Sequence, residues 1–198
     1  MIKAVILDLN GVFIESPKLS DRFEKDFKIA SEVFLPKLFE TMDKSRLPNA
    51  LPAFTYWQPI LESWNIKMNE QEFWSYWFGR EEPVEEMIEL ARRIRKSGLK
   101  VFILSNNFKE RAEYYGHYPW LHEVVDKVYF SWQTGFVKPD ERAWQLVLKE
   151  NNLQPEEVLY CDDQERNNKV ARGLNIQTHS YVGVGELEKF LKEQGLGL

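Results

Sequence analysis

The sequence predicts an α/β fold: a Rossmann-like parallel sheet with helices on both faces and a small helical insertion after the first strand. Three observations carry this. The run Ala4-Val5-Ile6-Leu7 is apolar and partly β-branched, as a buried strand should be, and ends in Asp8 before Asn10 and Gly11 break it. Two later runs repeat the design, 100–104 leading into Ser105 and Asn106, and 158–161 leading into Asp162 and Asp163. Between about residues 15 and 80 no strand pattern occurs, only short helical segments punctuated by prolines.

The elements follow in order. Within the insertion, Phe23, Phe27, Phe34, Leu38, Trp57, Leu61, Trp64, Phe73, Trp74 and Trp77 recur at spacings near three and four. Such a stripe is explained by helices packing on one another, or, for the residues near Trp57 or Trp77, by a lid facing a site. The α/β pattern resumes with Pro83, suited to a helix's first position. Val84, Met87, Ile88, Ala91 and Ile94 then line one helical face, and Gly98 ends it. Strand 100–104 completes a βαβ unit. A helix is expected over 108–115, a strand over 128–130, a helix opened by Pro139, and strand 158–161. A helix over 168–174, a strand over 178–182 and a helix over 186–193 close the chain.

Composition bounds the function. The 198 residues suffice for one core and a small satellite domain. The charge of −5 gives no sign of a nucleic-acid partner, and no apolar run is long enough for a membrane span. A single cysteine, Cys161, excludes an internal disulfide, suits a cytoplasmic protein and reads as a small core residue. His117, His122 and His179 lack ligand spacing and read as ordinary surface or loop residues.

A carboxylate at the end of a buried strand is costly unless paired, and in an open α/β sheet that rim is where ligands bind. Parallel strands would bring Asp8, Ser105-Asn106 and Asp162-Asp163 to one rim, with Lys138 added just before Pro139. Singly, these residues have plain explanations. Asp8 could serve a turn, Ser105 and Asn106 could cap a helix, and Lys138 could be a surface residue. The adjacent acids are harder to dismiss, because they repel without a cation. Arg166 and Asn167 read as a helix start more readily than as braces for the site.

This set, in this order, resembles the haloacid dehalogenase superfamily, over nearly the whole chain. Asp8 matches the nucleophile, Ser105 the phosphate-binding hydroxyl, Lys138 the lysine of the third motif, and Asp162-Asp163 the acidic fourth motif. The run Leu104-Ser105-Asn106-Asn107 and the segment 135–139 are most similar to the subgroup of glucose-1-phosphate phosphatase. The resemblance implies a core of 1–14 and 81–198 and a helical cap domain of 15–80 that selects substrate. It implies a Mg²⁺-dependent phosphatase of a small phosphorylated metabolite, a sugar phosphate in that subgroup. The intermediate would be an aspartyl-phosphate on Asp8. Mg²⁺ would be held by Asp8, by Asp162 or Asp163, and by the backbone carbonyl of residue 10. Ser105, Asn106 and Lys138 would bind the phosphoryl oxygens.

One position departs from the family pattern. Where an acid/base aspartate is usual, this chain has Asn10. The amide keeps the carbonyl for metal but cannot titrate, which implies slow turnover. It also leaves open a phosphate-binding or regulatory protein with little activity. A dehalogenase is a further alternative, being metal-independent and having no need for paired acids at the fourth motif. Oligomeric state is not legible.

Overall fold

The computed structural model describes residues 1–196. Strand β1 (Ala4–Leu7) is followed by a two-residue strand, β2 (Ile14–Glu15). Four helices come next: α1 (Leu19–Phe27), α2 (Ser31–Ser45), α3 (Ala53–Ser63) and α4 (Glu70–Phe78). Strand β3 (Glu82–Pro83) then leads to α5 (Glu85–Lys96), β4 (Lys100–Ser105), α6 (Lys109–Tyr115), α7 (Pro119–Val124), β5 (Lys127–Phe130) and α8 (Ser131–Thr134). The chain ends with α9 (Arg142–Glu150), β6 (Val158–Asp162), α10 (Glu165–Gly173), β7 (Gln177–Ser180) and α11 (Val184–Glu193).

The main sheet has the order β5-β4-β1-β6-β7 and is parallel throughout. β1 lies at its centre, buried along its length, with Leu7 level with Ile103 on one side and Cys161 on the other. Successive strand side chains alternate between faces, so each strand feeds two cores. Val5, Leu7, Val101, Ile103, Leu159 and Cys161 pack under α5, α7 and α11. Ala4, Ile6, Phe102, Leu104, Val158 and Tyr160 pack under α9 and α10. Helices therefore cover both faces, as expected from continuous apolar strands.

The five main strands fall where the sequence places them, within a few residues. Three helix starts differ. Pro83 does not open a helix; it pairs with Ile14 in the β2–β3 ladder, and α5 starts at Glu85. Pro139 lies in a turn, and α9 begins at Arg142. α10 begins at Glu165, so Arg166 and Asn167 lie in its first turn. The short helices α7 and α8 and the β2–β3 ladder have no signature in the sequence; each is too short to display a period.

Helices α1–α4 leave and rejoin the rest of the chain through the β2–β3 ladder. Their core is aromatic. Trp57 is fully buried against Phe34, Phe73 and Trp77, with ring centroids 5.7, 5.1 and 5.7 Å away. Phe108, just before α6, joins the same cluster. The α4 end is fixed by a capping box, in which Asn69 accepts from the Glu72 amide and Glu72 from that of Asn69. Among the described residues no helix is long and apolar enough to cross a membrane. Positions 197 and 198 of the expected core lie outside the described residues.

A buried tryptophan with this many aromatic neighbours leaves a large void when truncated. Trp57→Ala should lower unfolding free energy by about 3–5 kcal/mol, measured by urea denaturation. A loss below about 1 kcal/mol would show that the aromatic cluster is not a packed core.

Candidate active site

The site lies at the carboxyl ends of β1, β4 and β6, the three central strands. Asp8 follows β1, Ser105 ends β4, Asp162 ends β6, and Asp163 comes directly after it. Lys138 enters from the turn before α9. All the residues expected at the rim are thus on adjoining elements.

Lys138 is buried, and its Nζ lies 3.0 Å from Asp8 Oδ1 and 2.6 Å from Asp162 Oδ2. Its backbone is held by Asn106, whose Nδ2 donates to the Lys138 carbonyl while its Oδ1 accepts from the Lys138 amide, both at 2.8 Å. Asn106 therefore positions the lysine, and Phe108 stands at the start of α6, so Asn106 is not a helix cap. Burial opposes the ammonium charge, but the carboxylates of Asp8 and Asp162 overcome it and raise the Lys138 pKa.

The acids differ in how fully they are used. Asp162 Oδ1 accepts from the Gln164 amide at 2.8 Å and from Asn167 Nδ2 at 3.1 Å. Its Oδ2 accepts from Lys138, from Asn167 at 3.0 Å and from the Tyr160 hydroxyl. Burial pushes the Asp162 pKa up, but Lys138 and these hydrogen bonds hold it below the ordinary range. Asp8 Oδ1 accepts from the Leu9 amide at 2.7 Å and faces Lys138. Burial pushes the Asp8 carboxyl up to about 6 against the pull of Lys138, with Asp162 acting in the same direction as burial. Asp163 is exposed, and partial desolvation and Asp162 raise its pKa.

Oxygens of Asp8, Asp162 and Asp163 come within 4.8 Å of one another. An all-carboxylate set of this kind suits a small hard cation. Since Asp162 is saturated by hydrogen bonds, Asp8 Oδ2 and the Asp163 carboxylate are the oxygens left for it. Gly11 makes room for them. Its φ is +86°, and a Cβ there would stand 2.9 Å from Asp163 Oδ2.

Asn10 is tied at both ends of its amide. Its Nδ2 donates to the Tyr115 hydroxyl at 2.6 Å, and its Oδ1 accepts from Asn107 Nδ2 at 2.8 Å. Tyr115 in turn donates to Glu81 Oε2 at 2.6 Å, and Glu81 forms a buried ion pair with Arg111. At the other end Asn107 Nδ2 also donates to Ser105 Oγ at 3.0 Å, which frees the serine's own hydrogen for a ligand.

Asp8, Asn10, Ser105, Asn106 and Lys138 open on a cavity of about 250 Å³. Its far wall comes from α2 (Leu38, Phe39, Met42), with Arg46 just beyond that helix and Trp77 from α4. Trp77 therefore faces the site, whereas Trp57 belongs to packing. Asn167 binds Asp162 directly, so it braces the site as well as lying in α10. Glu81, Tyr115, Arg111 and Tyr160 were not singled out from sequence. Glu81 has no spacing that sets it apart in the sequence, and only the fold brings it to Tyr115. Cys161 is buried, as expected, and burial pushes its thiol up.

The family model of haloacid dehalogenase-like hydrolases matches residues 2–175. The chain belongs to that family and is a hydrolase of it. It is 24% identical over 188 residues to D-ribitol-5-phosphate phosphatase of Bacteroides thetaiotaomicron, covering 90% of this chain and 91% of that protein. It is 36% identical over 109 residues to acyl-CoA dehydrogenase family member 10 of Mus musculus, covering 53% of this chain and only a tenth (10%) of the mouse protein's length. A haloacid dehalogenase-family enzyme of Bacteroides thetaiotaomicron superposes with a TM-score of 0.77 at 22% identity, covering 90% of this chain and 93% of that one. In complex with magnesium and inorganic phosphate it superposes with a TM-score of 0.73 at 21% identity, covering 91% and 94%.

The Tyr115 hydroxyl has one hydrogen and gives it to Glu81, so its oxygen needs the amide hydrogen of Asn10. An aspartate at position 10 would oppose two acceptors. Asn10→Asp should cost about 1–3 kcal/mol, and Glu81→Gln, which breaks a buried ion pair, about 3–5 kcal/mol. In the double variant the new glutamine amide can donate to the phenol, whose own hydrogen is then free for the new aspartate. Denaturation should show a combined loss smaller than the sum by about 1 kcal/mol; strict additivity would rule out the chain of hydrogen bonds.

Proposed function

We propose that this hydrolase is a Mg²⁺-dependent phosphatase of a small phosphate ester, with residues 1–14 and 81–198 as core and 15–80 as cap. The observation that carries this is the lysine between two buried carboxylates, with a serine hydroxyl and an unsaturated acid beside them. Asp8 Oδ2 attacks phosphorus and forms an aspartyl-phosphate; the bond to the ester oxygen breaks, and that oxygen keeps the electron pair and takes a proton from solvent. Lys138, Ser105 Oγ and nearby backbone amides hold the phosphoryl oxygens. Water then attacks phosphorus and gives up a proton to solvent, the bond to Asp8 breaks with the electron pair returning to its carboxylate, and phosphate leaves. Asp8, Asp163 and the Asn10 carbonyl would hold Mg²⁺, with Asp162 orienting Lys138. The ion would supply the positive charge that a carboxylate needs when it approaches a phosphate dianion. The neighbouring structure with magnesium and phosphate, and the relative that acts on a pentitol phosphate, support the reading. A small phosphate ester suits a cavity of this size.

Asn10 favours slow turnover. Held by Tyr115 and Asn107, it can orient groups but has no proton to exchange at working pH. Positioned acid–base groups contribute about 10²–10⁴ in rate. The same residue supports the second reading, a phosphate-binding protein with little turnover. The crowded acids speak against a metal-independent dehalogenase.

Asp8→Asn should remove hydrolysis of 4-nitrophenyl phosphate with the melting temperature retained; turnover above a few per cent of the parent would refute the nucleophile assignment. In the parent, rapid mixing should show a burst of nitrophenol followed by a slow phase, because this leaving group needs no protonation. Linear release would mean that dephosphorylation is not limiting, and no release at all would favour the binding protein.

Mg²⁺ should raise the melting temperature, by about 1.4 kcal/mol of stability at ten times its Kd. The pH dependence has a definite sign. Asp8's folded pKa of about 6 lies above its ordinary value of 3.8, so the folded state holds that proton more tightly. The metal-free protein therefore loses stability from this group as pH rises through that window. Mg²⁺ needs the ionised form, so its stabilisation is full above about pH 6 and shrinks below. Melting curves with and without Mg²⁺ at pH 7.5 and pH 5 test this, and an equal shift at both would contradict it.

A further inference from the structure

The cavity has an apolar wall from α2 and two arginines from different elements. Leu38, Phe39 and Met42 give it a hydrocarbon surface, and Phe39 is largely exposed. Arg46, at the end of α2, and Arg166, in the first turn of α10, line the same cavity from opposite elements. Each guanidinium is only partly engaged. Arg46 pairs through one nitrogen with Asp43, an exposed residue of α2. Arg166 Nε donates to Gln164 Oε1 at 3.0 Å. A third arginine of the lining, Arg111, is committed to Glu81.

Two cations converging on one cavity repel each other. Burial draws Arg46 down from its usual pKa, and Arg166 acts in the same direction against the opposing pull of Asp43. The two line one pocket together with Lys138 and Ser105. A guanidinium fork matches a planar carboxylate or a phosphate bidentately.

We infer that Arg46 and Arg166 form a second anion subsite, and that the substrate is a phosphate ester whose leaving group carries a carboxylate or second phosphate joined through a short apolar linker. This rests on the phosphatase reading and narrows its substrate class. Neutral polyol phosphates would then be poorer substrates than acidic ones of equal length. The cap contributes one of the two arginines and the core the other, so only a ligand reaching both walls gains the full interaction.

The test uses two non-hydrolysable probes of equal chain length, 3-phosphonopropionate and propylphosphonate, which differ in one carboxylate. Binding is measured by calorimetry at pH 7.5 with Mg²⁺, on the parent, Arg46→Gln and Arg166→Gln. The parent should bind the carboxylate probe about tenfold more tightly, and each variant should bring the ratio toward one. Equal binding of both probes by the parent would overturn the subsite while leaving the phosphate site standing. An equal loss on both probes in the variants would also overturn it, assigning the arginines to the phosphoryl group. If neither probe nor inorganic phosphate binds, the phosphatase reading fails and the subsite falls with it. Arg166 is exposed, so its variant should fold even if Arg46→Gln does not.

Discussion

The Lys138 ammonium, buried between Asp8 and Asp162, is the interaction on which the rest of the site depends. A buried charge is tolerated only when paired and hydrogen-bonded. The pairing here is unequal. Asp162 is saturated by Lys138, Tyr160, Asn167 and the Gln164 amide, so it serves as a fixed counter-ion. Asp8 shares the lysine through one oxygen and keeps the other free. The same ammonium thereby neutralises one acid and leaves its neighbour available for chemistry. Asn106 completes the arrangement by clasping the Lys138 backbone from both sides, which ties a turn before α9 to the end of β4.

Parallel strands supply the frame. With β1 between β4 and β6, Asp8, Ser105 and Asp162 emerge at one level, and no long side chain is needed to bring them together. The helical insertion supplies the opposite wall and is anchored close to the chemistry. Trp77 of α4 stacks under the Arg111 guanidinium of α6 at 5.7 Å, and Arg111 is paired with Glu81 at the junction after α4. The β2–β3 ladder pairs the chain's exit from β1 with its return. The helical insertion is thus joined to the core through buried contacts as well as through the two connecting strands.

Much of this was legible in the sequence because it follows from local patterns. Apolar runs ending in polar residues mark strands that stop at a rim, and the order of Asp8, Ser105, Lys138 and Asp162-Asp163 marks one rim rather than four unrelated ends. Helix starts were less legible. Pro83 fits a first helical turn as well as a strand, and only its pairing with Ile14 decides between them. The polar relay was illegible for a stronger reason. Glu81, Tyr115 and Asn107 are separated along the chain and have no spacing of their own; their meaning comes from being brought together. Asn167 could be read either as a helix residue or as a brace, and in the fold it is both.

Asn10 has a second role that its departure from the family pattern does not show. Against the family pattern it is an acid lost. Within this chain it is a matched link. Glu81 can only accept, so it fixes the direction of the Tyr115 hydroxyl; that leaves the phenolic oxygen needing a donor, which the Asn10 amide provides. With its nitrogen turned to Tyr115, the amide oxygen must face Asn107, whose remaining hydrogen goes to Ser105. The serine oxygen, already accepting, keeps its hydrogen free to donate. A carboxylate at position 10 would still accept from Asn107 but would leave the Tyr115 oxygen without its donor. Asn10 thus joins the Glu81–Tyr115 pair to the Asn107–Ser105 pair.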